Sequence, residues 1–188
     1  MTMKNITDKL NELSVGYKIG DLQNIRRELG NIKNRLKPTI FGKGVRSNYA
    51  FHLGGREELQ FNIGHEDVNK FRYGVAFSLE TSQFFFDVEP LKEKIKRYNK
   101  YFEENPIKFD SYSAYTEKNK IPWPKHPLKV ILEEEYTNHK NSTFFFIGKF
   151  FDKNIGDITT EDCHTMLETF DELLDLYRYV ESNNSDNK

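Results

Sequence analysis

Residues 58–80 read ELQFNIGHEDVNKFRYGVAFSLE, and the period of this stretch decides the fold. Leu59, Phe61 and Ile63 alternate with Glu58, Gln60 and Asn62. After a polar break, Phe71, Tyr73, Val75, Phe77 and Leu79 alternate with Arg72, Gly74, Ala76, Ser78 and Glu80. Side chains on a strand point to opposite faces in turn, so this period of two predicts two antiparallel strands with one apolar face. Upstream, Asn48 to Leu53 also alternates, and Gly54, Gly55, Arg56 and Glu57 make a short glycine-bearing hairpin connection. The three strands form a meander.

Further out the period becomes helical. Met3 to Leu13 is amphipathic, and Leu22, Ile25, Leu29, Ile32 and Leu36 recur at spacings of three and four, which predicts a helix from Asp21 as N-cap to Leu36 before Pro38. Pro90 to Glu103 reads as a helix entered through a proline, and Thr160 to Glu181 as a long closing helix with Leu167, Phe170, Leu174, Tyr177 and Val180 on one stripe. Asn105 to Pro127, with Pro106, Pro122, Pro124 and Pro127 around Trp123, reads as irregular, and strands are expected at Leu128 to Glu133 and Thr143 to Phe151. The expectation is an α+β fold: an antiparallel meander sheet of about five strands packed with three to four helices. Residues 1–181 form one domain in this reading, and 182–188 a polar tail or linker start.

Composition bounds the class. A chain of 188 residues that is 37% apolar and 14% aromatic can bury one real core. The single cysteine, Cys163, allows neither an internal disulfide framework nor a cysteine-rich zinc site, and the N-terminus has no signal-peptide apolar core, so a cytoplasmic protein without membrane contact is expected. Net charge is −1, but it is unevenly spread. From Gly16 to Arg46 eight bases face two acids, a net of +6; from Asp152 to Lys188 three bases face ten acids, a net of −7. That polarity suits one face meeting a polyanion while the other repels it, or two solvated faces of opposite sign.

Candidate chemistry is sparse. On the strand pair, Glu58, Gln60 and Asn62 lie beside Gly74, Ala76 and Ser78, a polar floor open to a helix, a nucleic-acid base or a protein partner. Glu58-Leu-Gln60 also matches the acid, any residue, glutamine element of some magnesium-dependent nucleases. Such a site needs an upstream acid, and between Pro38 and Arg56 there is none; only Glu66, Asp67 or Asp87 could substitute. The five histidines are scattered, with no pair at i and i+4, so no zinc framework exists. Cys163 and His164 are neighbours on a helix and point about 100° apart, which disfavours a dyad. Trp123 in its proline-rich loop suits either a ligand contact or a core cap.

The segment FHLGGREELQFNIG (51–64), followed by RYGVAFSLETSQ (72–83), resembles the N-terminal regions of bacterial restriction-type proteins, where a recognition domain precedes an HNH or related nuclease domain. FFFIGK (144–149) and LLDLYRYVE (173–181) resemble the end of the same domain. The resemblance implies a DNA-recognition domain of a restriction or phage-defence system, with a modified base among its candidate targets, without catalysis of its own and served by a separate nuclease domain or subunit. On that reading Arg26, Arg27, Lys33, Arg35, Lys43 and Arg46 hold phosphates, and His52, Arg56, Gln60, Asn62 and Trp123 read bases. The alternatives are a magnesium-dependent nuclease using Glu58 and Gln60, and a protein-interaction module.

Overall fold

The computed structural model describes residues 1–34, 37–52, 54, 57–79, 89–118, 121–122, 130–131 and 144–182. They fold as an α+β unit. The helices are α1 (Met3–Leu13), α2 (Leu22–Glu28), α3 (Glu89–Glu104) and α4 (Thr160–Glu181). The strands are β1 (Tyr49–Phe51), β2 (Gln60–Asp67), β3 (Lys70–Ser78), β4 (Ser113–Lys118), β5 (Ile121–Pro122) and β6 (Phe144–Phe151). All strand pairs are antiparallel, in the order β1-β2-β3-β6-β4-β5. The expected meander therefore holds for β1 to β3 only: β6 returns between β3 and β4.

The alternation in β2 and β3 sets the core. Phe61, Ile63, Phe71, Tyr73, Val75 and Phe77 turn to one face and are buried, joined there by Phe145 and Ile147 of β6 and by Ala114 of β4. Helices α1, α3 and α4 supply the other side of this core through residues such as Ile6, Leu10, Ile95, Tyr98, Leu167, Phe170 and Leu174. α4 begins with a full capping box, in which the Thr159 side chain takes the Asp162 N–H and Asp162 returns to the Thr159 N–H, so the start expected at residue 160 is fixed by local chemistry. Among the described residues no helix is long and apolar enough to cross a membrane.

Two expectations fail for identifiable reasons. α2 stops at Glu28 instead of running to Leu36. Gly30 adopts a left-handed φ of +79°, its N–H bonds to the Arg27 carbonyl at 3.1 Å, and the Asn31 N–H reaches back to the Arg26 carbonyl at 2.8 Å. This is a Schellman stop, and it overrides an apolar period that continues past it. Lys33 is thus not on a rod with Arg26 and Arg27; Arg35 lies outside the described residues. In the stretch expected to be irregular, Ser113–Lys118 forms β4, because Ala114 finds the core while Tyr115 joins the opposite face beside Phe146 of β6. The strand expected at Leu128 to Glu133 falls almost wholly outside the described residues. Ile131, which is described, is buried, with its N–H and C=O both bonded to the Asn99 carboxamide at 2.8 and 2.9 Å.

Candidate functional site

The residues expected to touch DNA divide into an internal group and a surface group. Arg26 is internal. Its side chain is 3% exposed, and Nε and Nη2 donate to the two oxygens of Glu58 at 2.8 and 3.0 Å, while Nη1 donates to Gln23. His52 is fully buried: its Nδ1 accepts the Phe61 N–H at 2.8 Å, so Nε2 carries the ring proton and donates to Glu58 Oε1 at 3.0 Å. The Tyr177 hydroxyl donates to the same carboxylate oxygen. Burial alone would raise the Glu58 carboxyl, but the hydrogen bonds from His52, Arg26 and Tyr177 outweigh it and hold the group well below the carboxylate range. Burial first, then the Glu58 charge, raises the Tyr177 phenol.

This cluster continues through Asn31, whose amide donates to the Tyr177 hydroxyl at 3.5 Å and to Glu181 at 3.2 Å. Glu181 is itself buried and accepts from the Leu59 N–H and from Lys94. The arrangement corrects three expectations together. Arg26 is no phosphate contact and His52 no base reader, because both are consumed inside the protein. Glu58 does not lie beside Gln60 on an open face: it precedes β2 and points among α2 and α4. As a magnesium ligand it is already engaged by Arg26, His52 and Tyr177, and among the described residues no group of His, Cys, Asp and Glu could hold a metal.

The second face of the sheet is also different from the polar floor expected of it. Gln60 is partly buried, and Asn62 is 3% exposed and accepts from Arg72 Nε at 3.2 Å, so Asn62 is not available to a base. The row of small residues in β3 has a cause on β6. Gly74 lies opposite Gly148 and Ala76 opposite Phe146, and a Cβ on Gly148 would stand 2.5 Å from the Phe146 ring and 2.2 Å from the Tyr73 carbonyl. Gly148 makes room for the Phe146 ring, and Gly74 for the β6 backbone, where a Cβ would stand 2.2 Å from the Ile147 carbonyl. Phe146 packs with Ala76 and Tyr115, and the Arg72 guanidinium stands 5.1 Å from the Phe144 ring centroid while bonding Glu66 at 3.0 Å.

The surface group is what remains: Arg27, Lys33, Lys43 and Arg46, with Lys37, stand at the surface. Arg56 and Trp123 lie outside the described residues. No Asp or Glu occurs between Glu28 and Glu57. Residues 39–46, which follow α2, are held by side-chain and backbone bonds. The Asn11 carboxamide of α1 accepts the N–H groups of Ile40 and Phe41 at 2.9 and 3.0 Å and donates to the Phe41 carbonyl at 2.7 Å, and Gln23 donates to the Thr39 carbonyl. Val45 then bridges Ala50 on the open side of β1, with the Arg46 N–H on the Tyr49 carbonyl and the Phe51 N–H on the Gly44 carbonyl. Between α1 and this turn runs a groove of about 450 Å³, lined by Lys4, Asp8, Phe41, Gly42, Val45 and Arg46.

Several acids of α4 are engaged by other parts of the fold, while Glu161 and Glu168 are exposed. On α4, Asp171 accepts the N–H groups of Lys18 and Ile19, Glu172 accepts from Tyr112 and Lys149, Asp175 from Lys108, and Asp162 from Lys153. Among the described residues Lys33, Lys37, Lys43 and Arg46 form no ion pair. Comparison with known protein families, with characterised proteins and with solved structures found no match.

Sequence reading missed the internal network because each member carries a different superficial signal. Tyr177 reads as one more apolar stripe residue and Arg26 as part of a solvated face. The one usable hint is Asn31 directly after a glycine, a polar residue at a helix stop.

Proposed function

We propose that this chain is a DNA-binding module whose contact surface is made by the basic side chains of the segment 31–47 with Arg27 beside it. The observation that carries the reading is the charge of one surface: Lys33, Lys37, Lys43 and Arg46 are exposed along an acid-free stretch of sequence without a carboxylate partner. Exposed cations gathered without acids among them favour phosphates through release of condensed counterions. The resemblance of residues 51–64 and 72–83 to restriction-type N-terminal regions points the same way, with cutting supplied by a separate nuclease domain or subunit. Phosphate contact then falls to Arg27, Lys33, Lys37, Lys43 and Arg46.

The test is fluorescence anisotropy with a labelled duplex oligonucleotide between about 50 and 200 mM salt. Binding is expected to weaken steeply, and replacing Lys33, Lys37, Lys43 and Arg46 together by Ala is expected to reduce the log–log slope by about 3 to 4, near 0.9 for each phosphate no longer neutralised. Absence of binding at low salt, or a slope unmoved by the four substitutions, overturns the reading.

A further inference from the structure

We infer that the groove between α1 and the 41–47 turn seats one unpaired nucleotide of the bound DNA. The inference rests on the DNA-binding reading and adds a location and a ligand to it. At about 450 Å³ the groove is of the size of a site for one small ligand. Its floor is apolar, formed by Phe41, Val45 and the Gly42 backbone, and around Gly42 the space a Cβ would enter is open. Its charge is divided. Arg46 stands at the turn beside exposed Lys43; its Nη1 donates to the Lys43 and Val45 carbonyls at 3.0 Å, and its other N–H groups offer a phosphate contact. The other wall carries Asp8, whose charge is met by Lys4 at 2.5 Å. A carboxylate there opposes a phosphate lying deepest in the groove, but it accepts from the amino group on the edge of cytosine or adenine.

The two sides of the groove are tied together: Asn11 of α1 bonds the N–H groups of Ile40 and Phe41 and the Phe41 carbonyl, and Val45 pairs with Ala50. A base entering it leaves the stack, which costs least where the base is already unpaired. The expected preference is therefore for DNA with an unpaired nucleotide, with the phosphate at Arg46, the base along Val45 and Gly42, and its amino edge toward Asp8.

The experiment compares two labelled duplexes of one length, fully paired or with a single bulged cytosine, by anisotropy at one salt concentration. Wild-type protein is expected to bind the bulged duplex about tenfold more tightly, equivalent to about 1.4 kcal/mol. Gly42→Trp, which fills the groove, is expected to abolish that preference, as is Ser47→Trp at the exposed rim should Gly42→Trp unfold. A bulged thymine, which lacks the amino group, is expected to forfeit most of the preference. Equal binding of paired and bulged duplexes by wild-type protein overturns this inference while leaving the DNA-binding reading in place, as does a preference that survives both tryptophans. Absence of binding to either duplex overturns both.

Discussion

Arg26 and Glu58 meet inside the molecule: Nε and Nη2 of the guanidinium lie 2.8 and 3.0 Å from the two carboxylate oxygens, and the side chains are 3% and 4% exposed. Removing one partner of such a pair strands the other charge away from water, at a cost of about 3 to 5 kcal/mol. Arg26→Ala is expected to lower the urea-unfolding free energy by that amount without altering the salt slope of DNA binding in the folded protein. Arg26→Met combined with Glu58→Gln is expected to recover part of the loss, because Gln still accepts from His52 and Tyr177. An Arg26→Ala protein of wild-type stability would contradict the placement.

The same carboxylate makes stability depend on pH. Its folded value lies below the ordinary 4.5, so its contribution is complete above that value and is lost as pH falls through it toward the folded value. Asp162 shifts in the same direction: burial opposes the shift, and Lys153 and Thr159 prevail. Glu58→Gln is expected to be less stable than wild type near neutrality, with the gap narrowing as pH falls from about 5 to about 3. Urea midpoints across that range check this, and a gap independent of pH would show that the Glu58 charge is not what matters.

On the sheet's second face, a methyl group at Gly148 would press on both the Phe146 ring and the Tyr73 carbonyl. Gly148→Ala is expected to destabilise by about 1 to 3 kcal/mol, the usual range for overpacking, with Phe146→Leu in the same chain relieving only the part due to the ring. Thermal unfolding of the two single variants and the double variant separates ring from backbone; additive losses would mean the ring does not cover the glycine.

Gly30 supplies the last conformational prediction. At φ +79° an L-residue is strained by about 1 to 2 kcal/mol, and no neighbouring atom obstructs a Cβ there. Gly30→Ala is therefore expected to lose stability through the backbone alone, measured by urea unfolding, while Gly30→Asn loses less because Asn tolerates the left-handed region. Equal losses in the two variants would point to side-chain crowding instead.

What could be read beforehand follows from what each element depends on. The strand pair 60–78 and the helix 160–181 were legible because their periods are set by burial on one face and, for the helix, by a capping box within four residues. The end of α2 was not, because a stop made of Gly30 competes with a continuing apolar period and only the backbone conformation decides. β4 was hidden by the prolines that follow it, although Ala114 and Thr116 alternate with Tyr115 as strand residues do. The sites fared worst. Whether an arginine faces water or a glutamate depends on partners 32 residues apart in the chain, and no local pattern encodes Arg26 against Glu58. For Lys43 and Arg46 the exposed position alone was legible.

The position of β6 bears on biosynthesis. It is the last of the described strands to be made and the fourth of six across the sheet. Until residues 144–151 leave the ribosome, β3 and β4 each present an unpaired edge, and the nascent chain holds two fragments of sheet with no strand between them. Such edges recruit other chains, and closing the sheet through so distant a segment slows folding. Lower temperature during expression slows translation, lengthening that open interval, while it weakens hydrophobic association, so recovered yield at two temperatures reports how well the early fragments are shielded.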